Sequence, residues 1–87
     1  SIYRPKERII TPNNDGINDY ANFDGLAGKS TEIKIFDVTG RRIRRIKSEP
    51  YRWDGRDDDG RKVENGVYIY QFKVDGELIS GVVAVAK

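Results

Sequence analysis

Apolar residues alternate with polar ones over short stretches of this chain, and clusters of Gly, Asn and Asp separate those stretches. A period of two predicts β-strands, because successive side chains of a strand point to opposite faces. No segment of helical length keeps the wider spacing of an amphipathic helix. The pattern therefore predicts about seven strands, at residues 8–11, 20–26, 31–38, 42–47, 51–54, 67–74 and 78–86.

Turn residues mark the ends of these predicted strands. Residues 37–40 and 57–60 each place Asp first and Gly fourth, which is the preference of a type I turn. Asp75 and Gly76 separate two apolar runs, a strong hairpin signal that pairs the last two strands. Residues 81–86 include no polar side chain, so the last strand is predicted to be central in its sheet or covered by a neighbour.

Aromatic residues near the penultimate strand narrow the fold further. The order Gly66, Tyr68, Tyr70 is typical of immunoglobulin-like sandwiches, in which the first Tyr bonds back to the loop before it. We assign that corner to Tyr68 and expect Tyr70 in the core, with Trp53 as its large packing partner. The sequence thus predicts an all-β fold, an immunoglobulin-like antiparallel β-sandwich of about seven strands.

Composition excludes several classes of function. The chain has 87 residues, enough for one domain with one small core. It contains no Cys and no His, which removes the thiol and the commonest general base, so we expect no enzyme. Its 16 basic and 14 acidic residues give a net charge of +2, which disfavours nucleic acid as a partner. No apolar run approaches the roughly 18 residues that would span a membrane.

One polar loop is a candidate metal site. Residues 13–19 gather oxygen-bearing side chains, and Asn13, Asp15, Asn18 and Asp19 could bind calcium, the only cofactor that the sequence suggests. The alternative is that these side chains accept hydrogen bonds from amides of their own loop, and this reading is favoured for a turn so rich in Asn and Asp. Melting the protein with and without chelator distinguishes the two.

Three other groups of residues have both a functional and a structural reading. Tyr51 and Tyr20 could form a platform for stacking sugar rings, with Tyr51 the better candidate for exposure, whereas Trp53 is expected in the core. The basic run 41–47 could engage polysaccharide or an acidic partner, but charges on an edge strand also prevent aggregation, and that is our default. Residues 57–59 are three successive Asp, read as a solvated turn rather than a second cation site.

Three motifs in order carry a resemblance to a known family. They are Thr-Pro-Asn-Asn-Asp-Gly-Ile-Asn-Asp at 11–19, Ile-Lys-Ile-Phe-Asp-Val-Thr-Gly-Arg-Arg-Ile at 33–43, and the Trp-Asp-Gly to Val-Tyr-Ile-Tyr stretch at 53–70. The chain resembles the FlgD-like immunoglobulin module and the gliding-motility-associated C-terminal domains. The resemblance implies a small β-sandwich of secreted bacterial proteins that can act as a sorting signal for type IX secretion. Sorting versions usually carry basic residues among the valines of the last strand, and here only Lys87 follows residues 81–86.

From these observations we expect a single domain spanning residues 1–87, the C-terminal part of a longer protein, located outside the cell or at its surface. It would be a non-catalytic accessory module of an exported bacterial protein, serving secretion and sorting, surface attachment or domain spacing. Its partners would be neighbouring domains of the parent chain and the secretion machinery or a cell-surface polysaccharide, and we expect a monomer. The alternative is a carbohydrate-binding module attached to a glycoside hydrolase.

Overall fold

The computed structural model describes residues 2–87, and over this range the chain forms seven strands and one short 3₁₀ turn, Asp24–Leu26. The strands are β1 (Ile9–Ile10), β2 (Ala21–Asn22), β3 (Ile33–Phe36), β4 (Arg42–Ile46), β5 (Arg52–Trp53), β6 (Gly66–Val74) and β7 (Glu77–Val85). They form a five-stranded sheet in the order β1-β7-β6-β3-β4 and a two-stranded sheet, β2-β5. The predicted all-β, immunoglobulin-like sandwich is confirmed.

The hairpin of β6 and β7 is the largest unit of the fold. Each strand has nine residues, and Asp75 and Gly76 connect them with φ angles of 51° and 80°, as a two-residue hairpin turn requires. β7 lies between β6 and β1, so the prediction that the last strand is central is confirmed. β1 runs parallel to β7, with Ile9 opposite Ala84. The expectation of a wholly antiparallel sandwich is therefore wrong for this pair.

The strand predicted at 20–26 is wrong over most of its length. Only Ala21–Asn22 pair with β5, and the chain then turns, with the Leu26 amide donating to the Phe23 carbonyl at 3.0 Å. Gly25 lies against the N-terminal segment so closely that a Cβ atom would stand 1.9 Å from the Ile2 carbonyl oxygen. Leu26, at the end of this turn, is completely buried.

An aromatic cluster fills the space between the two sheets. Trp53 is completely buried and its ring meets that of Tyr68 edge-on, with centroids 5.4 Å apart. The ring of Tyr70 meets Phe23 edge-on at 5.2 Å and stacks on Phe72 at 6.1 Å. The expected pairing of Trp53 with Tyr70 is therefore wrong, because Tyr68 combines the corner position with the contact to Trp53. Edge-to-face rings such as these add to the stability that burial alone provides.

Strand alternation gives the five-stranded sheet an inner and an outer face. Tyr68, Tyr70 and Phe72 face inward and are buried, whereas Val67, which precedes them, and Ile69, which lies between the two tyrosines, face outward. β4 forms one edge of this sheet and has an irregular register, because Phe36 pairs with Arg42 but Ile35 pairs with Arg44. The extra residue, Ile43, forms a β-bulge.

Candidate functional site

The predicted calcium loop is held together by its own side chains. The Asp19 carboxylate accepts hydrogen bonds from the backbone amides of Asn14 at 3.0 Å and Gly16 at 2.8 Å. The Asp15 carboxylate accepts the Ile17 amide at 2.9 Å, and the side-chain oxygen of Asn13 accepts the Asp15 amide at 3.3 Å. Such bonds replace the missing backbone partners of a tight turn.

Backbone conformation explains the remaining composition of this loop. Asn14, Gly16 and Asn18 have positive φ angles of 64°, 81° and 52°, a region that Asn and Gly tolerate best. The Asn18 carbonyl accepts the Thr11 amide at 2.7 Å, which closes the loop at its base. Within residues 2–87 no group of three carboxylates is placed to hold a metal ion. Calcium binding at Asn13, Asp15, Asn18 and Asp19 stays a prediction.

The two tyrosines of the predicted sugar platform lie in different surroundings. Tyr51 is only 8% exposed, and its hydroxyl donates to the Lys29 carbonyl at 2.7 Å. The expectation that Tyr51 is exposed is wrong, because its ring fills the core while its hydroxyl satisfies a loop carbonyl. Tyr20 is half-buried, and the Arg52 guanidinium lies over its ring, 4.3 Å from the centroid. Sugar stacking would then rest on Tyr20 alone, and it stays a prediction.

The tyrosine corner ties β6 to the loop before it. The Tyr68 hydroxyl donates to the Glu64 carbonyl at 2.7 Å, and burial raises the pKa of this phenol above its ordinary value. Gly66 starts β6 with a φ of 156°, which residues with a Cβ atom rarely adopt. The Trp53 indole donates to the Arg56 carbonyl at 2.9 Å, so the core aromatic also anchors the next loop. These contacts are architectural.

The basic run of β4 lies at a sheet edge that acidic residues cover. The Asp58 amide donates to the Ile43 carbonyl at 2.9 Å, and the Asp58 carboxylate accepts the Arg45 amide at 3.0 Å. Arg44 reaches the Asp54 carboxylate at 3.2 Å. The Asp57 carboxylate accepts the amides of its own turn. The edge is therefore partly capped, which limits the pairing of β4 with another chain.

An N-terminal segment, residues 2–8, binds across one side of the sandwich, and nothing in the sequence pattern predicts it. The Arg4 guanidinium donates to the Tyr70 hydroxyl at 3.3 Å and to the Ser80 carbonyl. The Tyr3 hydroxyl donates to the Asp75 carboxylate at the tip of the β6–β7 hairpin. These pairs are more than 60 residues apart in the chain, so no local motif could have revealed them.

The outer face of the five-stranded sheet carries exposed apolar side chains. Val82 is 60% exposed and pairs with Ile69, while Val67 pairs with Ala84, which in turn lies opposite Ile9. The sequence predicted that the apolar last strand would be either central in its sheet or covered by a neighbour. In the described part of the chain the N-terminal segment only borders this face, lining a cavity with Val67, Val82 and Ala84, and Val82 stays largely exposed.

Comparison with known proteins identifies the family. Residues 5–84 match the family described as the CHU_C type IX secretion signal domain, and the chain belongs to this family. The match spans nearly all of the sandwich described above, from the N-terminal segment to β7.

The chain is similar to segments of much larger proteins. The chain is similar to a segment of the C5a peptidase of Streptococcus pyogenes, with 28% identity in serotype M18 and 30% in serotype M3. These alignments cover 74% of this chain and 8% of each peptidase. It is also similar, with a TM-score of 0.55 and 27% identity, to PorZ, a surface component of the type IX secretion system of Porphyromonas gingivalis. That match covers 67% of this chain and 8% of PorZ.

Among residues 2–87 there is no helix with the length and apolar character needed to cross a bilayer.

Proposed function

We propose that this chain is the sorting module of a larger exported bacterial protein and directs that protein through type IX secretion to the cell surface or the medium. The observation that carries the proposal is the family match over residues 5–84. The similarity to a domain of PorZ, which is itself a surface component of that system, supports the same setting. The module would contribute recognition and no catalysis, as the family description of a secretion signal implies.

The structure is compatible with a signal read as a folded surface rather than as an extended peptide. The core is closed by the aromatic cluster, and the exposed features are a polar loop, a basic edge strand and an apolar outer face. A folded signal presents all three at fixed positions relative to one another. One difference from sorting versions, the lack of basic residues within 81–86, falls on the last strand, whose Val82 and Ala84 belong to the apolar outer face.

A direct contact with the secretion machinery and a final location at the surface extend the family description to this chain, and the likeness to FlgD-like immunoglobulin modules rests on the three sequence motifs. The chain spans 8% of the length of the curated relatives, so the activity that the module would export belongs to neighbouring domains.

Removing the module from its parent protein tests the proposal. In a bacterium with type IX secretion, we expect the parent without these residues to stay in the periplasm and the intact parent to reach the surface or the medium. A matched control carries Ser48→Ala, which changes an exposed side chain and should leave the sandwich folded. Normal export of the truncated parent would contradict a sorting role and leave attachment or spacing.

A further inference from the structure

The outer face of the five-stranded sheet has a contiguous apolar centre, which we call the outer patch. Its members lie in register across four adjacent strands, from β1 through β7 and β6 to β3. They are Ile9, Phe36, Val67, Ile69, Val82 and Ala84. The exposed fractions of Ile9, Val67 and Val82 are 53%, 47% and 60%. Single exposed apolar residues are ordinary on protein surfaces, but a cluster of them marks a site of interaction.

Cationic side chains border the outer patch. Arg42 lies opposite Phe36 at the end of the patch on β4. Lys34, two residues before Phe36 on β3, lies between Gln71 of β6 and Arg45 of β4. Lys73, two residues after Gln71 on β6, lies opposite Leu78 of β7. Two carboxylates lie near the patch. Glu32 pairs with Arg45 at 2.7 Å and approaches Lys34 at 4.0 Å. Glu7 lines a cavity beside Val67 and Val82, where Arg4, Lys6 and Arg8 outnumber it. The border therefore has a net positive charge beside an apolar centre.

This charge decides between occupants of the face. A second copy packed face to face would bring two borders of the same positive sign into one interface, and like charges at an interface oppose association. A partner with carboxylates around an apolar centre would instead match both parts of the surface. An apolar centre with a charged rim is also the usual anatomy of a specific protein interface.

We propose that the outer patch and its basic border form the surface through which the module binds an acidic-rimmed apolar surface on a protein of the secretion machinery. The inference rests on the proposed function, because the partner is sought within the system that exports the module. The apolar centre would provide most of the affinity, since a few central contacts dominate binding. The basic border would provide orientation and a fast encounter.

Export of a reporter protein measures this contact directly. The 87-residue chain is fused to the carboxyl end of a periplasmic reporter that is unrelated to the parent protein, so no parent domain can cover the patch. Val82→Ser tests the apolar centre, and its matched control is Val38→Ser, the same change at a residue that is 72% exposed in the turn at 37–40. Arg42→Glu tests the border, and Lys62→Glu is the same reversal beside the polar loop, away from this face.

We expect the exported fraction to fall about fivefold or more for Val82→Ser and Arg42→Glu, as for truncation of a central interface residue, with little change for the two controls. Melting curves of the purified chains should agree among all four variants, so that reduced export cannot be assigned to unfolding. If both test variants are exported as efficiently as the wild type, the inference is overturned, but the proposed function is not. A loss that the two controls share would also overturn the inference.

Two further outcomes also discriminate. Reduced export of Val82→Ser together with normal export of Arg42→Glu would overturn the acidic partner. A wild-type fusion that stays in the periplasm would overturn the proposed function, and this inference with it.

Discussion

Gly81 is the residue at which the smallest substitution should have a large effect. It lies opposite Tyr70 in the β6–β7 hairpin, directly beneath the tyrosine hydroxyl. A Cβ atom added at Gly81 would stand 2.3 Å from the hydroxyl oxygen of Tyr70, 2.5 Å from the ring carbon that bears it, and 2.7 Å from a guanidinium nitrogen of Arg4. Ordinary contacts between carbon atoms are about 3.5–4 Å, so Gly81→Ala forces the ring to move.

The ring has little room to move, and this sets the magnitude. Phe23 meets it edge-on and Phe72 stacks on it, with centroid distances of 5.2 and 6.1 Å. Overpacking of a closed core costs about 1–3 kcal/mol, and displacing the hydroxyl from Arg4 adds about 1 kcal/mol for the lost hydrogen bond. The free energy of unfolding should therefore fall by about 2–4 kcal/mol. For a domain of this size that lowers the Tm by roughly 10–30 °C.

Differential scanning calorimetry of the purified chain measures this effect. Ser80→Ala is the control, because that exposed side chain lies on the outer face and the change should cost less than about 0.5 kcal/mol. Arg4→Ala separates the hydrogen-bond contribution from the steric one. A Tm of Gly81→Ala within about 2 °C of the wild type would refute the reasoning, since it would show that Tyr70 is not confined.

Three further outcomes follow from individual contacts. The hydrogen bond from the Tyr3 hydroxyl is the largest cause that holds the pKa of Asp75 below its ordinary 3.8, and the hydrogen bond from Lys29 is the second. The ionised Asp75 therefore stabilises the fold above about pH 3.8, and this stabilisation is lost as the pH falls through the lowered pKa. Asp75→Asn should therefore make the loss of Tm less steep as the pH falls below about 4, and pH profiles parallel to the wild type would contradict this. Asp19→Ala should lower the Tm by the same amount in calcium and in chelator, because the Asp19 carboxylate accepts hydrogen bonds from loop amides. If calcium instead raises the Tm of the wild type, the loop binds the ion. Tyr68→Phe should reduce the free energy of unfolding by about 1 kcal/mol in urea titration, and an unchanged midpoint would show that water replaces the corner bond.

The parts of the fold that local chemistry determines could be predicted from the sequence. The hairpin at Asp75 and Gly76 was predictable because a two-residue turn demands positive φ angles that few residue types accept. The turn at 37–40 was predictable because Asp37 can accept amides two and four residues ahead of it. In both places the residues that form the structure are neighbours in the chain.

The parts that depend on distant contacts could not be predicted in the same way. The parallel pairing of Ile9 with Ala84 and the reach of Arg4 to Tyr70 join the two ends of the chain, and neither leaves a periodic signal. Tyr51 was misassigned to the surface because a phenol with a nearby loop carbonyl can be buried without cost to its hydroxyl. The outer patch became visible only from the register, which places residues of four strands side by side.

The most direct test of a sorting role is the location of the reporter fused to the wild-type chain, compared between a bacterium with type IX secretion and the same strain without it. Fractionation into periplasm, surface and medium gives the result. We expect the reporter at the surface or in the medium of the strain with type IX secretion, and in the periplasm of the strain without it. The same distribution in both strains would contradict a sorting role.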